Sequence, residues 1–272
     1  MQRKMNGQVV LITGASAGIG AALAIEAASR GADVALLARR GDRIEQLAEQ
    51  LRTQGVRSTA AVCDVTNDES VQSAVAHAVR ELGAIDMVLA NAGFGVRGDL
   101  QELTLEDYKR QFDTNVFGVL RTIYATLEML KQRTGMLGIV GSANGYLNVP
   151  NWSAYCMSKA CIRSLCACIR HELARDGVSV THLAPGFIDS EFRRIDNGGQ
   201  LNDEARDPVP PWLVMSADKA AKQMLDAVLA RKEEAVITLH AKAVVALERH
   251  AHWLVSESLK VSGPLVERFS KD

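Results

Sequence analysis

The sequence predicts an α/β fold in one domain: a doubly wound parallel sheet of about seven strands with helices on both faces. Three observations carry this. Short apolar runs alternate with longer helix-length segments along all 272 residues. The runs lack the two-residue alternation of a half-exposed strand, so each is expected to be covered on both faces. No linker of domain-boundary composition and no internal repeat interrupts the order.

The elements follow in turn. Val9–Thr13 is the first strand, followed by the turn GASAGIG and a helix through Ser29 that stops at Gly31, a residue suited to the left-handed position after a helix. Asp33–Ala38 is the second strand and 43–54 the next helix, with Gly55 as its stop; Asp42 stands where it would cap that helix. Thr59–Cys63 is the third strand, and Asn67 is placed to cap a helix running to Leu82. Asp86–Ala90 is the fourth strand, ended by NAG. One long helix is expected over 105–131, the fifth strand over 138–142, a helix from Ser153 to about Arg175, and the sixth strand over 178–183. A helix over 217–231 and a seventh strand over 235–239 complete the sheet. Residues 187–215, with Gly198, Gly199, Pro208, Pro210 and Pro211, form the one long irregular stretch, and a loop of that length is usually a lid.

Composition narrows the function classes. The chain is 47% apolar and 23% charged with a formal net charge of −1, which argues against nucleic acid as a partner. No apolar run approaches the roughly 18–20 residues needed to span a bilayer. The start, MQRKMNGQVVLITG, has too short an apolar run for a signal peptide and no small-residue cleavage site, which points to the cytoplasm. Four of the five cysteines (Cys156, Cys161, Cys166, Cys168) crowd one helix without CxxC or HExxH spacing, so they are expected to be packing residues rather than metal ligands. His250 and His252 are read as structural or surface residues.

Five stretches bear chemistry. In TGASAGIG (Thr13–Gly20), glycines allow close backbone approach to a pyrophosphate, and the helix start offers free N–H groups. Gly14, Ser16, Ala17, Gly18 and Ile19 are the candidate contacts, although the spacing is GxxxGxG rather than GxGxxG. At the end of the second strand, where NAD-binding chains place a carboxylate, this chain has Arg39 and Arg40, which suit the 2′-phosphate of NADP; a solvated basic turn is the plain alternative. Asp64 and Val65 of CDV, and Asn91, Ala92 and Gly93 of NAG, end strands on the same sheet edge and are placed for the adenine and ribose. In SAYCMSKA (Ser153–Ala160), Tyr155 and Lys159 lie one helical turn apart on one face. A tyrosine of ordinary pKa about 10 becomes a usable proton-transfer group when an ammonium stands nearby.

Taken together, TGASAGIG, Asp64, Asn91–Gly93, Asn115 in FDTNVFG, Ser142 in IVGSANG, YCMSK at Tyr155–Lys159, and PGFIDS at Pro185–Ser190 make the chain resemble the classical short-chain dehydrogenase/reductase family. The motifs occur in that family's order across nearly the whole chain, with Ser142 thirteen positions before Tyr155. The resemblance implies a Rossmann-type fold and roles residue by residue. Tyr155 is expected to be the general acid/base, Lys159 to lower its pKa and hold the nicotinamide ribose, and Ser142 to hold the substrate oxygen. Asn115 is expected to position a water linking Lys159 to solvent. Pro185, Gly186 and Ile188 are expected to shape the nicotinamide pocket, and Asn144, with walls such as Tyr146, Val149 and Trp152, the substrate pocket. Ser190 stands where the family often has threonine, and Met157 reads as adaptable filler.

The expectation is an NADPH-dependent oxidoreductase interconverting a fairly apolar ketone or aldehyde and its alcohol. The alternatives are an NAD-preferring alcohol dehydrogenase or a catalytically silent NADP sensor on the same fold; a sugar-nucleotide epimerase would need a larger C-terminal domain. In the family, the helices corresponding to 105–131 and 153–175 pair across a two-fold axis, which implies a homodimer or homotetramer. The tail, 241–272, resembles the extensions of steroid, retinoid and ketosphinganine reductases. Within it, 243–258 reads as an incompletely amphipathic helix, and Val261, Leu265, Val266 and Phe269 follow; packing on the protein itself or in an oligomer is favoured over membrane attachment.

Overall fold

A computed structural model describes residues 4–268, except Asp203, Arg206 and Pro208, with side chains to Glu257. The seven strands are β1 (Val9–Thr13), β2 (Asp33–Ala38), β3 (Ser58–Val62), β4 (Met87–Ala90), β5 (Met136–Val140), β6 (Ser179–Ala184) and β7 (Glu234–Val236). All neighbouring strands pair in parallel, in the order β3-β2-β1-β4-β5-β6-β7. The helices are α1 (Gly18–Ser29), α2 (Gly41–Arg52), α3 (Asp68–Leu82), α4 (Leu105–Phe112), α5 (Gly118–Gln132), α6 (Ser153–Leu173), α7 (Ala217–Leu229) and α8 (Leu239–Arg268). This is a single Rossmann-like domain.

The sheet is apolar on both sides because successive side chains in a strand point to opposite faces. From β1, Val10 and Ile12 join Val34, Leu36 and Leu89 under α1, α2 and α7. Val9 and Leu11 join Leu37, Val88 and Ile139 under α3, α5 and α6. A strand with two buried faces has no polar face to alternate with, which is why its sequence is a continuous apolar run.

Helix ends follow local chemistry. The Asn67 side chain accepts from Ser70 N at 2.8 Å and caps α3. Thr104 and Asp107 form a reciprocal capping box at α4. Gly31, Gly55 and Gly177 take positive φ where the chain leaves α1, α2 and α6. Asp42 does not cap α2: Arg40 occupies that position without a side-chain cap, and Asp42 lies in the first turn, where a negative charge still favours the helix.

Most expected elements fall within about two residues of their observed ends, α2 and β5 each beginning two residues earlier, and three differ by more. The long helix over 105–131 is divided by a π turn, Asp113–Phe117, which inserts one residue between α4 and α5 and turns Asn115 fully inward. The seventh strand stops at Val236 rather than reaching Leu239, because the Thr238 hydroxyl accepts from Ala241 N at 3.3 Å and starts α8. α8 thus begins earlier than expected and has a non-helical residue at Ala251. Its Ala241 and Val245 pack with Ala143, Tyr146 and Ala184, so this part of the tail covers its own chain. The side chains of Val261, Leu265 and Val266, and all of Phe269, lie outside the described residues, as does Pro208.

The stretch 187–215 is stitched rather than loose. Ile188 bridges Met215, Met215 N donates to Phe187 O at 3.0 Å, and Asp189 N donates to Met215 O at 2.9 Å. Two 3₁₀ turns, Glu191–Arg194 and Pro211–Leu213, lie within it. Arg193 is buried; it pairs with Asp207 and donates to Ile188 O at 3.1 Å.

Candidate active site

Parallel strands all end on one edge, and their order reverses between β1 and β4, the place where open α/β sheets bind ligands. Gly14 follows β1, Arg39 β2, Asp64 β3, Asn91 β4, Ser142 β5 and Pro185 β6. The fold therefore carries residues from six separate segments to one edge.

The glycine turn is built for close approach. Gly14 has φ +68°, and a Cβ there would lie 2.8 Å from Ala92 Cα. A Cβ on Gly20 would lie 2.2 Å from Gly14 O. Asn91 pins this turn, donating from Nδ2 to Thr13 O at 3.0 Å and Gly14 O at 3.2 Å, while Thr13 Oγ1 accepts from the main-chain N–H groups of Asn91 and Ala92. The start of α1 has neither a side-chain cap nor a carboxylate in its first turn, so its N–H groups and positive dipole end are available to an anion.

Beside the turn, Arg40 donates to Ser16 Oγ from Nε at 3.0 Å and Nη2 at 2.9 Å, and from Nη1 to Glu191 at 2.7 Å. Arg43, not foreseen from the sequence, donates to the second Glu191 oxygen at 2.7 Å. Burial works to raise the Glu191 pKa, but hydrogen bonds from Arg43 and Arg40 outweigh it and hold the carboxyl below its ordinary value. Arg39 points elsewhere, to Gly199 O at 3.2 Å. The donor set next to the glycine turn already grips an anion, the Glu191 carboxylate. Asp64 Oδ1 accepts from Thr66 N and Thr66 Oγ1. Val65 is buried in the core, close to Gly118, with its carbonyl near Arg121.

Tyr155 and Lys159 sit on the inner face of α6, at 7% and 5% exposure. Lys159 Nζ donates to Val140 O at 2.9 Å and stands 5.7 Å from the Tyr155 ring centroid. Burial pulls the Lys159 pKa down to about 8. Burial also raises the Tyr155 pKa well above its ordinary value, with a Ser142 hydrogen bond acting in the opposite direction. In this arrangement, burial favours the uncharged form of each partner more strongly than the ammonium favours a phenolate, contrary to the simple expectation from their spacing.

The buried Asn115 amide has both of its N–H groups engaged. Oδ1 accepts from Phe94 N at 3.1 Å, and Nδ2 donates to Phe94 O at 3.0 Å and Ser158 Oγ at 3.2 Å. A Cβ on Gly93 would lie 3.0 Å from Asn115 Oδ1 and 3.7 Å from Lys159 Nζ, so the NAG turn faces both. Ser142 Oγ accepts from Asn144 N at 3.1 Å and opens a short 3₁₀ turn; Ala143 N then donates to Pro185 O at 2.9 Å, joining the Ser142 and Pro185 loops. Gly186 lies against Thr238 and His240, Phe187 N donates to His240 Nε2 at 3.2 Å, and Ile188 is buried.

The ring lining differs from expectation. Trp152 meets Tyr155 edge-on at 5.6 Å, but Tyr146 points to the rear, its hydroxyl near His182 and donating to Glu234. Phe192 supplies the missing wall, 5.3 Å from the Tyr155 ring centroid. Met157 is half exposed on α6, and Cys161 and Cys168 are exposed rather than packed. Arg43 had a signal in the sequence, standing one helical turn after Arg40; Glu191 and Phe192 had none, because their partners lie far away in the chain.

Comparison with known proteins agrees with this edge. The family model described as short chain dehydrogenase matches residues 8–199. An uncharacterized oxidoreductase of Mycobacterium tuberculosis is 40% identical over 189 residues, covering 68% of this chain and 75% of that protein. 11-beta-hydroxysteroid dehydrogenase 1A of Arabidopsis thaliana is 36% identical over 232 residues, covering 82% of this chain and 66% of that protein. Among solved structures, an alcohol dehydrogenase from Thermococcus sibiricus complexed with 5-hydroxy-NADP superposes with a TM-score of 0.75 at 30% identity, covering 85% of this chain and 96% of that chain. A Burkholderia phymatum short chain dehydrogenase/reductase in complex with NAD shares the fold at a TM-score of 0.81 and 24% identity, covering 92% of this chain and 96% of that chain. With the glycine turn, the Asn115–Ser142–Tyr155–Lys159 set and the family model all on one sheet, the chain belongs to the short-chain dehydrogenase/reductase family, oxidoreductases acting on CH–OH groups.

Proposed function

We propose that this oxidoreductase uses NADPH to reduce a fairly apolar ketone or aldehyde in the cytoplasm. The observation that carries the reading is one sheet edge holding a Tyr155–Ser142 hydroxyl pair between aromatic walls and, at Ser16, Arg40, which with Arg43 supplies guanidinium donors that suit a phosphate. When bound, NADPH supplies the hydride. The Ser142 and Tyr155 hydroxyls hold the substrate oxygen, and Tyr155 Oη delivers a proton to it as negative charge develops. Lys159 holds the ribose and carries the ammonium that eases this proton transfer; Asn115 holds the Phe94 main chain and positions the water of a relay from Lys159 toward solvent. Pro185, Gly186 and Ile188 border the nicotinamide end, Asn144 and the Trp152 and Phe192 rings the substrate end. The hydroxysteroid dehydrogenase name of one relative supports a bulky apolar substrate class. The test is a screen of NADPH oxidation against steroids, β-ketoacyl thioesters, long-chain ketones and small aromatic ketones. No turnover on any carbonyl, with NADPH bound, would favour a sensor instead.

Cofactor choice is testable separately. NADPH should bind more tightly than NADH in a fluorescence titration. Arg40→Ala should weaken NADPH more than Arg39→Ala, because Arg40 lies at Ser16 whereas Arg39 reaches Gly199. Equal affinities for the two cofactors would reject the reading.

The site also sits on an expected assembly. Phe117 and Tyr124 near and on α5, and Met157 on α6, are 51%, 74% and 50% exposed, a large apolar surface for one subunit. It supports a homodimer or homotetramer built on these helices. Light scattering at micromolar concentration should give at least twice the chain mass; a stable monomer would refute it.

A further inference from the structure

Three consecutive lid residues touch three parts of the site. Ser190 lies against the glycine turn, so close that a Cβ on Gly18 would be 2.8 Å from Ser190 Cβ. Glu191 presents one carboxylate oxygen to Arg40 and the other to Arg43, each at 2.7 Å. Phe192 stands over the Tyr155 ring. The 3₁₀ turn from Glu191 to Arg194 is held from behind by buried Arg193, which ties Ile188 to Asp207.

We propose that Glu191 is a specificity-determining residue for the cofactor: its carboxylate competes with a 2′-phosphate for Arg40 and Arg43. A carboxylate and a phosphate call on the same guanidinium N–H donors, since each accepts charge-assisted hydrogen bonds through anionic oxygens. Arg40 has Nε and Nη2 committed to Ser16, and its Nη1 is the donor that Glu191 takes. A 2′-phosphate arriving beside Ser16 therefore meets a guanidinium already bonded to the lid. A cofactor with a 2′-hydroxyl has no charge with which to displace Glu191, so the lid carboxylate bears on NADPH alone. This inference rests on the reading of Arg40 as the 2′-phosphate contact.

The experiment is a titration of the wild-type protein, Glu191→Gln and Glu191→Asp with NADPH and with NADH. The ion pairs are partly solvent-exposed, with the arginine side chains at 39% and 43%, so the expected gain is moderate. Glu191→Gln should tighten NADPH by about three- to tenfold, within the range for exposed charge pairs, and leave NADH within about twofold. Glu191→Asp, whose shorter side chain cannot keep both arginines, should fall between. The wild-type NADPH/NADH ratio tests the cofactor reading; the change in that ratio on Glu191→Gln tests this inference, whichever cofactor the wild type prefers. An unchanged ratio, or equal tightening of both cofactors, overturns it. Weakened NADH binding would make Glu191 a ribose ligand and overturn it as well.

Discussion

Tyr155→Phe is expected to lower turnover on the best carbonyl substrate by about 10²- to 10⁴-fold, the range for losing a positioned general acid. The ring stays, so its contacts with Trp152 and Phe192 and the burial of α6 should persist, and NADPH affinity should change little. Only Oη is removed. Ser142→Ala removes the other hydroxyl and should also slow turnover, and the double variant should fall short of the product of the two, because both serve one oxygen. Steady-state kinetics with a parallel NADPH titration checks this. Near-normal turnover by Tyr155→Phe would remove Tyr155 from the proton transfer.

Lys159→Met should separate function from stability. Rate and NADPH affinity should both fall, since the ammonium and its ribose contact are lost. The fold, however, should become more stable at neutral pH. In the folded chain burial holds Lys159 at about pH 8, against an ordinary value of 10.5. Below about pH 8 the protein bears the full penalty of a buried ammonium. As pH rises from about 8 toward 10.5 the folded chain releases a proton that the unfolded chain keeps, and the penalty is lifted. A shift of that size corresponds to about 3 kcal/mol. Loss of the charge-assisted bond to Val140 O returns about 1.5 kcal/mol, the low end for a bond to a charged group, leaving a net gain for methionine on the order of 1–2 kcal/mol at pH 7. Denaturant unfolding should show this gain at pH 7 and a smaller one at pH 10. A variant less stable than wild type at pH 7 would mean that the ammonium is well solvated where it stands. The wild-type reductive rate should likewise decline as pH rises through about 8.

What the sequence disclosed follows the range of the forces involved. The strands were legible because burial on both faces writes a continuous apolar run, and the cap at Asn67 because it is a bond across three residues. The edge residues were legible because each follows its own strand directly. The carboxylate on Arg40 and Arg43 was not, because Glu191 comes from about 150 residues later and nothing local marks it. Tyr146 looked like a pocket wall by position, but its hydroxyl found Glu234 and His182 behind the Ser142 loop, and a buried phenol goes where it can be bonded. The end of β7 was misjudged since apolar Ile237 and Leu239 flank a threonine that caps a helix. Spacing alone let Lys159 lower the pKa of Tyr155 one helical turn away, whereas the burial that works against this depends on strands and turns elsewhere in the chain.

The π turn at Asp113–Phe117 makes the site depend on a count as well as on identities. One residue more than an α-helix needs is stored there, and Asn115 faces Phe94 and Ser158 because of it. Deleting any one residue of that turn would let α4 and α5 merge into a continuous α-helix, locally the better-bonded form. The two halves would then rotate by about 100° relative to each other, one residue's step in a helix of 3.6 per turn. Either Asn115 would leave Phe94, or the buried positions Gly118, Thr122 and Thr126 would swing out of the core. A coding change that alters length by one triplet is therefore a graver lesion in this segment than most changes of letter.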